Sequence, residues 1–206
     1  LKKEVRGRRK LEESIRQREA ILEAVTFAAE QFLKTPDWRA NIVVVLERLG
    51  ATINASHAYL FEKHLGPANE LLDSMQYEWT APGYKSELDN PDFQNAPTWE
   101  EGFESYYKIL NSGNPFAGNT STFLPAEREY FSSLGIKAIL EVPLFVNGQR
   151  WGTIGFDDCE RERVWDTAEL DSLKIAAEIL SAAIQREKAD SAVQESERIY
   201  RQAIEA

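Results

Sequence analysis

Cysteine occurs once in the 206 residues, as Cys159. A single thiol excludes an internal disulfide, a CxxC redox pair and a four-thiolate zinc site, and it fits a reducing compartment. Histidine is almost as scarce. His57 and His64 stand seven apart in a strand-like stretch, where a side-chain period of two sets them on opposite faces and argues against a shared metal or haem site. Neither lies in the helical His-Glu-x-x-x-Pro setting of a phosphoacceptor, and no glycine-rich nucleotide loop occurs, so kinase chemistry is not expected in this segment. Basic residues number 24 against 34 acidic ones, a formal net charge of -10 that repels phosphate backbones and excludes nucleic acid as the expected partner. No apolar run approaches the roughly 20 residues that cross a bilayer, and the charged N-terminal stretch is no secretory signal. The expected location is cytoplasmic, within a parent chain that could itself be membrane-associated.

What is present can build a core. Hydrophobic residues make up 43% of the chain, five of them tryptophan, and the length suits one globular domain with appendages. The organising stretch is 136–158, which reads as two strands joined at Asn147-Gly148. Ile136, Ala138, Leu140, Val142 and Leu144 share a dry face, and Lys137, Ile139, Glu141, Pro143 and Phe145 share a mixed one. Two registers compete, because a slip of one residue moves every side chain to the opposite face. A two-residue turn sets Trp151 and Thr153 beside the dry face. A three-residue loop with Gly148 in the left-handed conformation sets Gly152, Ile154 and Phe156 there instead. The second is preferred, since it gathers the aliphatic residues and leaves Ile139, Glu141, Trp151, Thr153 and Asp157 together.

Along the rest of the chain, residues 2–34 suit a helix with Leu11, Ile15, Arg18, Leu22, Val25, Ala29 and Phe32 on one seam. The basic cluster at its start reads as solvated surface. Thr35-Pro36-Asp37 reads as a stop and a new start, with Thr35 as N-cap of a helix that ends near Gly50 and buries Ile42, Val45, Leu46 and Leu49. Residues 57–63 and 71–79 read as strands, the second carrying Leu71, Met75, Tyr77 and Trp79 on one face. Residues 80–101 are too rich in Pro, Asn and Asp for a regular element and read as a lid or binding loop. A short helix over 103–110, an edge strand over 115–123 and a helix from Pro125 to the stop at Gly135 follow. Asp166 and Glu169 form a capping box for a long helix, seamed by Leu170, Leu173, Ala177, Leu180 and Ile184, that continues as a stalk.

One sheet with a long helix at each chain end and an irregular cover resembles the GAF domain of bacterial multidomain sensors of the histidine kinase or diguanylate cyclase type. The likeness rests on Val142-Pro143-Leu144, the Asn147-Gly148 turn and the run Trp151-Gly152-Thr153-Ile154-Gly155-Phe156-Asp157-Asp158, with Tyr77-Glu78-Trp79 and Ala81-Pro82-Gly83. It implies an α+β fold, an α/β/α sandwich whose antiparallel sheet carries the terminal helices on one face and a ligand-side cover on the other. Residues 195–204 are similar to the opening helix of a PAS domain. The implied division is a linker helix over 1–34, a GAF domain over 35–185, and a linker helix with the start of a PAS domain over 186–206.

The resemblance also bears on chemistry. Free methionine sulfoxide reductases on this fold need several cysteines, and bilin attachment in phytochrome-like members needs a cysteine in another context with an Asp-Ile-Pro type motif. The Asn-Lys-Phe-Asp-Glu signature of cyclic-nucleotide binders is absent. The expectation is therefore a non-enzymatic module without bilin, haem or metal. Its candidate ligand residues are Glu141, Trp151, Thr153, Trp79, Tyr77, Met75 and Ile139, a carboxylate among aromatics suited to a cation or amine. The other reading satisfies Glu141 through Lys137 or Arg150 and makes the aromatics core. The module is then either a sensor that relays ligand occupancy through its terminal helices, in a homodimer beside PAS or output domains, or a ligand-free spacer. A space filled by Trp79, Trp99 or Tyr106 would favour the spacer.

Overall fold

Among the described residues six strands pair antiparallel throughout in the order β3-β2-β1-β6-β5-β4, and the two strands of the organising hairpin lie near the middle. They are β1 (His57–Leu65), β2 (Leu71–Thr80), β3 (Ala96–Pro97), β4 (Phe116–Asn119), β5 (Ala138–Val146) and β6 (Gln149–Asp158). Three helices cover one face: α1 (Lys2–Lys34), α2 (Ile42–Thr52) and α5 (Thr167–Glu205). The loop after β2 and two short helices, α3 (Glu104–Asn111) and α4 (Pro125–Ser133), cover the other. The computed structural model describes residues 2–98 and 101–205, excepting the side chains of residues 2–6, 10 and 205. The expected α+β sandwich is the observed fold. Trp99 and part of the expected basic cluster lie outside the described residues.

The helix-side core is assembled from the predicted dry face. Leu140, Val142, Leu144, Ile154 and Phe156 pack with Ile42, Val45, Leu46 and Leu49 of α2 and with Leu173, Ala177, Leu180 and Ile184 of α5. Trp38, fully buried, stands edge-on to Tyr77 and Trp151 at centroid distances of 5.8 and 5.7 Å. The reciprocal Asp166–Glu169 box opens α5, each backbone N–H donating to the other's carboxylate. Further along α5, Arg186 donates to the Phe32 and Thr35 carbonyls at the end of α1, and Glu187 accepts from Trp38 Nε1 and from Arg39.

Several local expectations change. Asp37, not Thr35, caps a 3-10 turn over Trp38–Ala40, and α2 begins only at Ile42. The α1 seam rotates: Ile21, Ala24, Val25, Ala28 and Phe32 face the core, while Leu11, Ile15 and Leu22 are 62%, 48% and 55% exposed. The hairpin combines both registers. Asn147 and Gly148 both have positive φ and form a two-residue turn with Val146 opposite Gln149, so the three-residue loop is not formed. A bulge then inserts Trp151, because Phe145 pairs with Arg150 and Leu144 with Gly152, and this restores Ile154 and Phe156 to the dry face.

Candidate ligand-binding site

The cover and the sheet enclose a cavity of about 700 Å³, within the range of small-molecule sites. Three cross-strand rows form its floor. His57 pairs with Asp157 and Asp157 with Ile139; Tyr59 pairs with Gly155 and Gly155 with Glu141; Phe61 pairs with both Met75 and Thr153. The period of two in each strand turns these side chains to one side. Its other wall comes from the loop after β2, with Phe93 and Gln94, and from Phe103 and Tyr106 at α3 and Tyr130 and Phe131 of α4. That loop is irregular yet pinned. Glu78 accepts from the Glu87 backbone N–H and from Ser86, Gln94 donates to the Met75 and Leu88 carbonyls, and the Asn95 N–H donates to Ser74.

Of the seven residues singled out in the sequence, Glu141, Thr153, Met75 and Ile139 line the cavity. Tyr77, Trp79 and Trp151 do not; all three pack on the helix-side core. Both departures come from bulges. In β2 the register shifts so that Leu60 faces Tyr77 and Phe61 faces Met75, leaving Gln76 unpaired and sending Met75 and Tyr77 to opposite sides. The bulge at Trp151 has the same effect in β6.

Glu141 is 4% exposed. Neither Lys137 nor Arg150 satisfies it: Lys137 donates to the Glu160 carbonyl and Arg150 to Asp73 and Asn111. Instead Tyr59 Oη donates to Oε1 at 3.2 Å and Tyr106 Oη to Oε2 at 2.5 Å. Burial raises the Glu141 pKa to about 7 against the opposing pull of these two hydroxyls. The same burial, with the Glu141 charge beside them, pushes both tyrosines well above their ordinary range. Tyr59 is absent from the residues expected at the site, and Tyr106 is expected there only as a side chain that fills the space. Tyr59 was detectable only as an inward position of β1, and Tyr106 is brought in by α3 from 35 residues away.

At the cavity edge, His57 Nδ1 lies 2.8 Å from Asp157 Oδ1, and Nε2 lies 3.3 Å from the Lys85 carbonyl oxygen. Burial disfavours the imidazolium, yet Asp157 and Cys159 outweigh it and raise the His57 pKa well above the ordinary value. Cys159 Sγ lies 3.5 Å from Asp157 Oδ1 and 3.9 Å from His57 Nδ1. The β1–β6 pairing brings this single thiol to a residue 102 positions away. His64 is elsewhere, its Nε2 2.8 Å from Ser74 Oγ.

Comparison with known proteins places this arrangement. The GAF domain family matches residues 17–184. The methanogenesis regulatory histidine kinase FilI of Methanothrix harundinacea is 36% identical over 171 residues, which cover 83% of this chain and 19% of the kinase. The chain thus spans about a fifth of the length of that relative. Among solved structures, the phycoerythrobilin-bound GAF domain from a cyanobacterial phytochrome has a TM-score of 0.64 at 15% identity, covering 84% of this chain and 96% of that one. The far-red absorbing dark state of JSC1_58120g3 with bound biliverdin IXa has a TM-score of 0.62 at 16% identity, covering 80% and 99%. These bilin-bound neighbours correct the expectation that excluded a bilin. That expectation rested on an attachment motif, and a motif for covalent linkage says nothing about what a cavity of this fold admits.

Proposed function

Because the chain belongs to the GAF domain family, we propose that it is the small-molecule-sensing module of a sensor histidine kinase. The observation that carries this reading is the buried Glu141 carboxylate on the floor of a cavity of about 700 Å³. Six carboxylates, those of Asp73, Glu78, Glu87, Asp92, Glu141 and Asp157, line the cavity, with His57 the one basic residue among the described lining. Such a lining favours a flat, conjugated ligand that offers N–H groups or a positive charge, held between aromatic rings and carboxylate acceptors. An aromatic amine has this chemistry. A bilin offers such N–H groups through its pyrroles, while its two propionates meet His57 as the one basic side chain among the described lining residues. Glu141 would hold those N–H groups, and the bilin would supply light absorption.

The relay in this reading runs through Trp38. Met75 and Thr153 face the cavity, while Tyr77 and Trp151 on the same strands hold the two edges of Trp38, whose Nε1 donates to Glu187 of α5. A ligand that shifts β2 against β6 changes how Trp38 seats and so changes the exit angle of α5. In the parent protein α5 leads to a following PAS or output domain, and the exposed Leu11, Ile15 and Leu22 form the seam of a homodimer.

A second reading, the ligand-free spacer, is favoured by Tyr106, which already occupies one side of Glu141 and packs on Phe116 at 5.0 Å. Native mass spectrometry of the unheated chain separates the two. It is applied after co-production with biliverdin and, separately, after titration with tryptamine. One bound molecule per chain, weakened about tenfold or more by Glu141→Gln, is expected for the sensor. Absence of any adduct in both arms supports the spacer.

A further inference from the structure

We infer that His57, Asp157 and Cys159 form a binding site for a single thiophilic divalent cation of the Zn2+ type at the edge of the cavity. Their donor atoms all lie within 4.8 Å of one another. They comprise an imidazole nitrogen, a carboxylate oxygen and a thiol sulfur, a mixed set that suits four-coordinate zinc with one position left for water or ligand. The spacing is close to what such an ion demands. Bond lengths of about 2.0–2.3 Å at tetrahedral angles put sulfur about 3.6 Å from either partner and nitrogen about 3.4 Å from oxygen. The observed Sγ distances are 3.5 Å to Asp157 and 3.9 Å to His57, and only the 2.8 Å Nδ1–Oδ1 separation has to open.

The surroundings orient the ligands as a metal site requires. A ligating histidine nearly always donates its other ring N–H to a carbonyl or carboxylate, which fixes the tautomer. Here Nε2 faces the Lys85 carbonyl, so Nδ1 is the nitrogen turned to the cluster. Ser56 braces the other two from one side: its N–H donates to the Asp157 carbonyl at 2.7 Å, and its Oγ accepts from the Cys159 N–H at 2.9 Å. His57 opens β1, Asp157 is next to last in β6 and Cys159 directly follows that strand, so the donors sit at the adjoining ends of β1 and β6. On ligation the cation takes the place of the Nδ1 proton shared with Asp157 and of the thiol proton, and both protons leave to solvent. His57 and Asp157 also line the cavity, so the ion's open position faces it.

The site shares His57 and Asp157 with the cavity lining, and its test uses no organic ligand. Co2+ is titrated into the untagged chain, followed by Zn2+ in competition. One equivalent of Co2+ is expected to give a thiolate-to-cobalt charge-transfer band with the ligand-field bands of a four-coordinate ion, and Zn2+ is expected to bleach both. The band has one possible origin, because Cys159 is the chain's single cysteine. Cys159→Ser should abolish it, His57→Ala and Asp157→Asn should weaken binding about 100-fold, and His64→Ala should leave it unchanged. No charge-transfer band at saturating Co2+, or Zn2+ affinity that survives Cys159→Ser or His57→Ala, overturns the assignment. Should Asp157→Asn fail to fold, the wild-type spectrum decides the matter by itself.

Discussion

The ring of Tyr59 lies against Gly155: a Cβ at position 155 would sit 2.0 Å from Tyr59 Cε2 and 2.7 Å from its hydroxyl oxygen. Tyr59, Gly155 and Glu141 occupy one row across β1, β6 and β5. The missing side chain in the middle of that row lets the tyrosine reach across a strand to the carboxylate. Gly155 is thus a packing requirement of the cavity floor.

Gly155→Ala is therefore expected to push the Tyr59 ring off the sheet and break its bond to Glu141. The cost should be about 1–3 kcal/mol, the range of overpacking in a close-packed interior, read as a lower urea midpoint at constant slope. Pairing it with Tyr59→Ala should recover part of the loss by vacating the space. Strict additivity of the two substitutions would show that the contact does not matter.

Glu141 gives the fold a pH dependence of defined sign. Its folded pKa, about 7, lies above the ordinary carboxyl value of 4.5 because burial disfavours the charge. Its contribution is fully present below about pH 4.5 and is lost as pH rises through 7, because over that window the native state binds the proton and the unfolded state does not. The difference amounts to about 3 kcal/mol at most. Urea unfolding at pH 5, 6, 7 and 8 should show Glu141→Gln declining less steeply than the wild type across this range; parallel profiles would refute the assignment.

Glu187→Ala removes the acceptor of Trp38 Nε1 and the partner of Arg39. The ion pair is half exposed and contributes little. The indole bond should dominate, at about 1 kcal/mol. A double-mutant cycle with Trp38→Phe, scored by thermal unfolding, is expected to show positive coupling. Independent effects would mean that α5 is not latched through this contact.

The rotated seam of α1 predicts the oligomer. Changing Leu11, Ile15 and Leu22 together to lysine should convert a dimer to a monomer at roughly tens of micromolar in light scattering. Each of these exposed positions should shift stability by no more than about 0.5 kcal/mol. A wild-type chain that is already monomeric at that concentration removes this interface from the reading.

How much of this was legible follows from the range of each interaction. The order of helices and strands, the apolar stripe of α2, the Asp166–Glu169 box and the dry face of β5 were readable because each depends on residues within a turn or two of one another. For the same reason Glu141 and Ile139 follow from alternation within β5, whereas Thr153 reaches the cavity through a turn other than the one expected, and Met75 without the Tyr77 and Trp79 grouped with it. The lapses at Tyr77, Trp79 and Trp151 share one cause. A bulge is one extra residue relative to a partner strand, so it has no signature in the strand that carries it. It forms at Gln76 and Trp151 where pairing with β1 and β5 requires it, and every side chain on one side of it then changes face.

The sequence by itself determined the class of fold, the two faces of β5 and the presence of a carboxylate on the mixed one. Tertiary structure alone decided what that carboxylate meets. Tyr59 and Tyr106, 82 and 35 residues away, replace the expected lysine or arginine. It also decided that the lone thiol is not alone, since His57 and Cys159 become neighbours only when the first and last long strands pair. Local periodicity is fixed by backbone geometry within one strand, whereas partners across a sheet are fixed by register and by the packing of a whole core, which no single stretch of chain encodes.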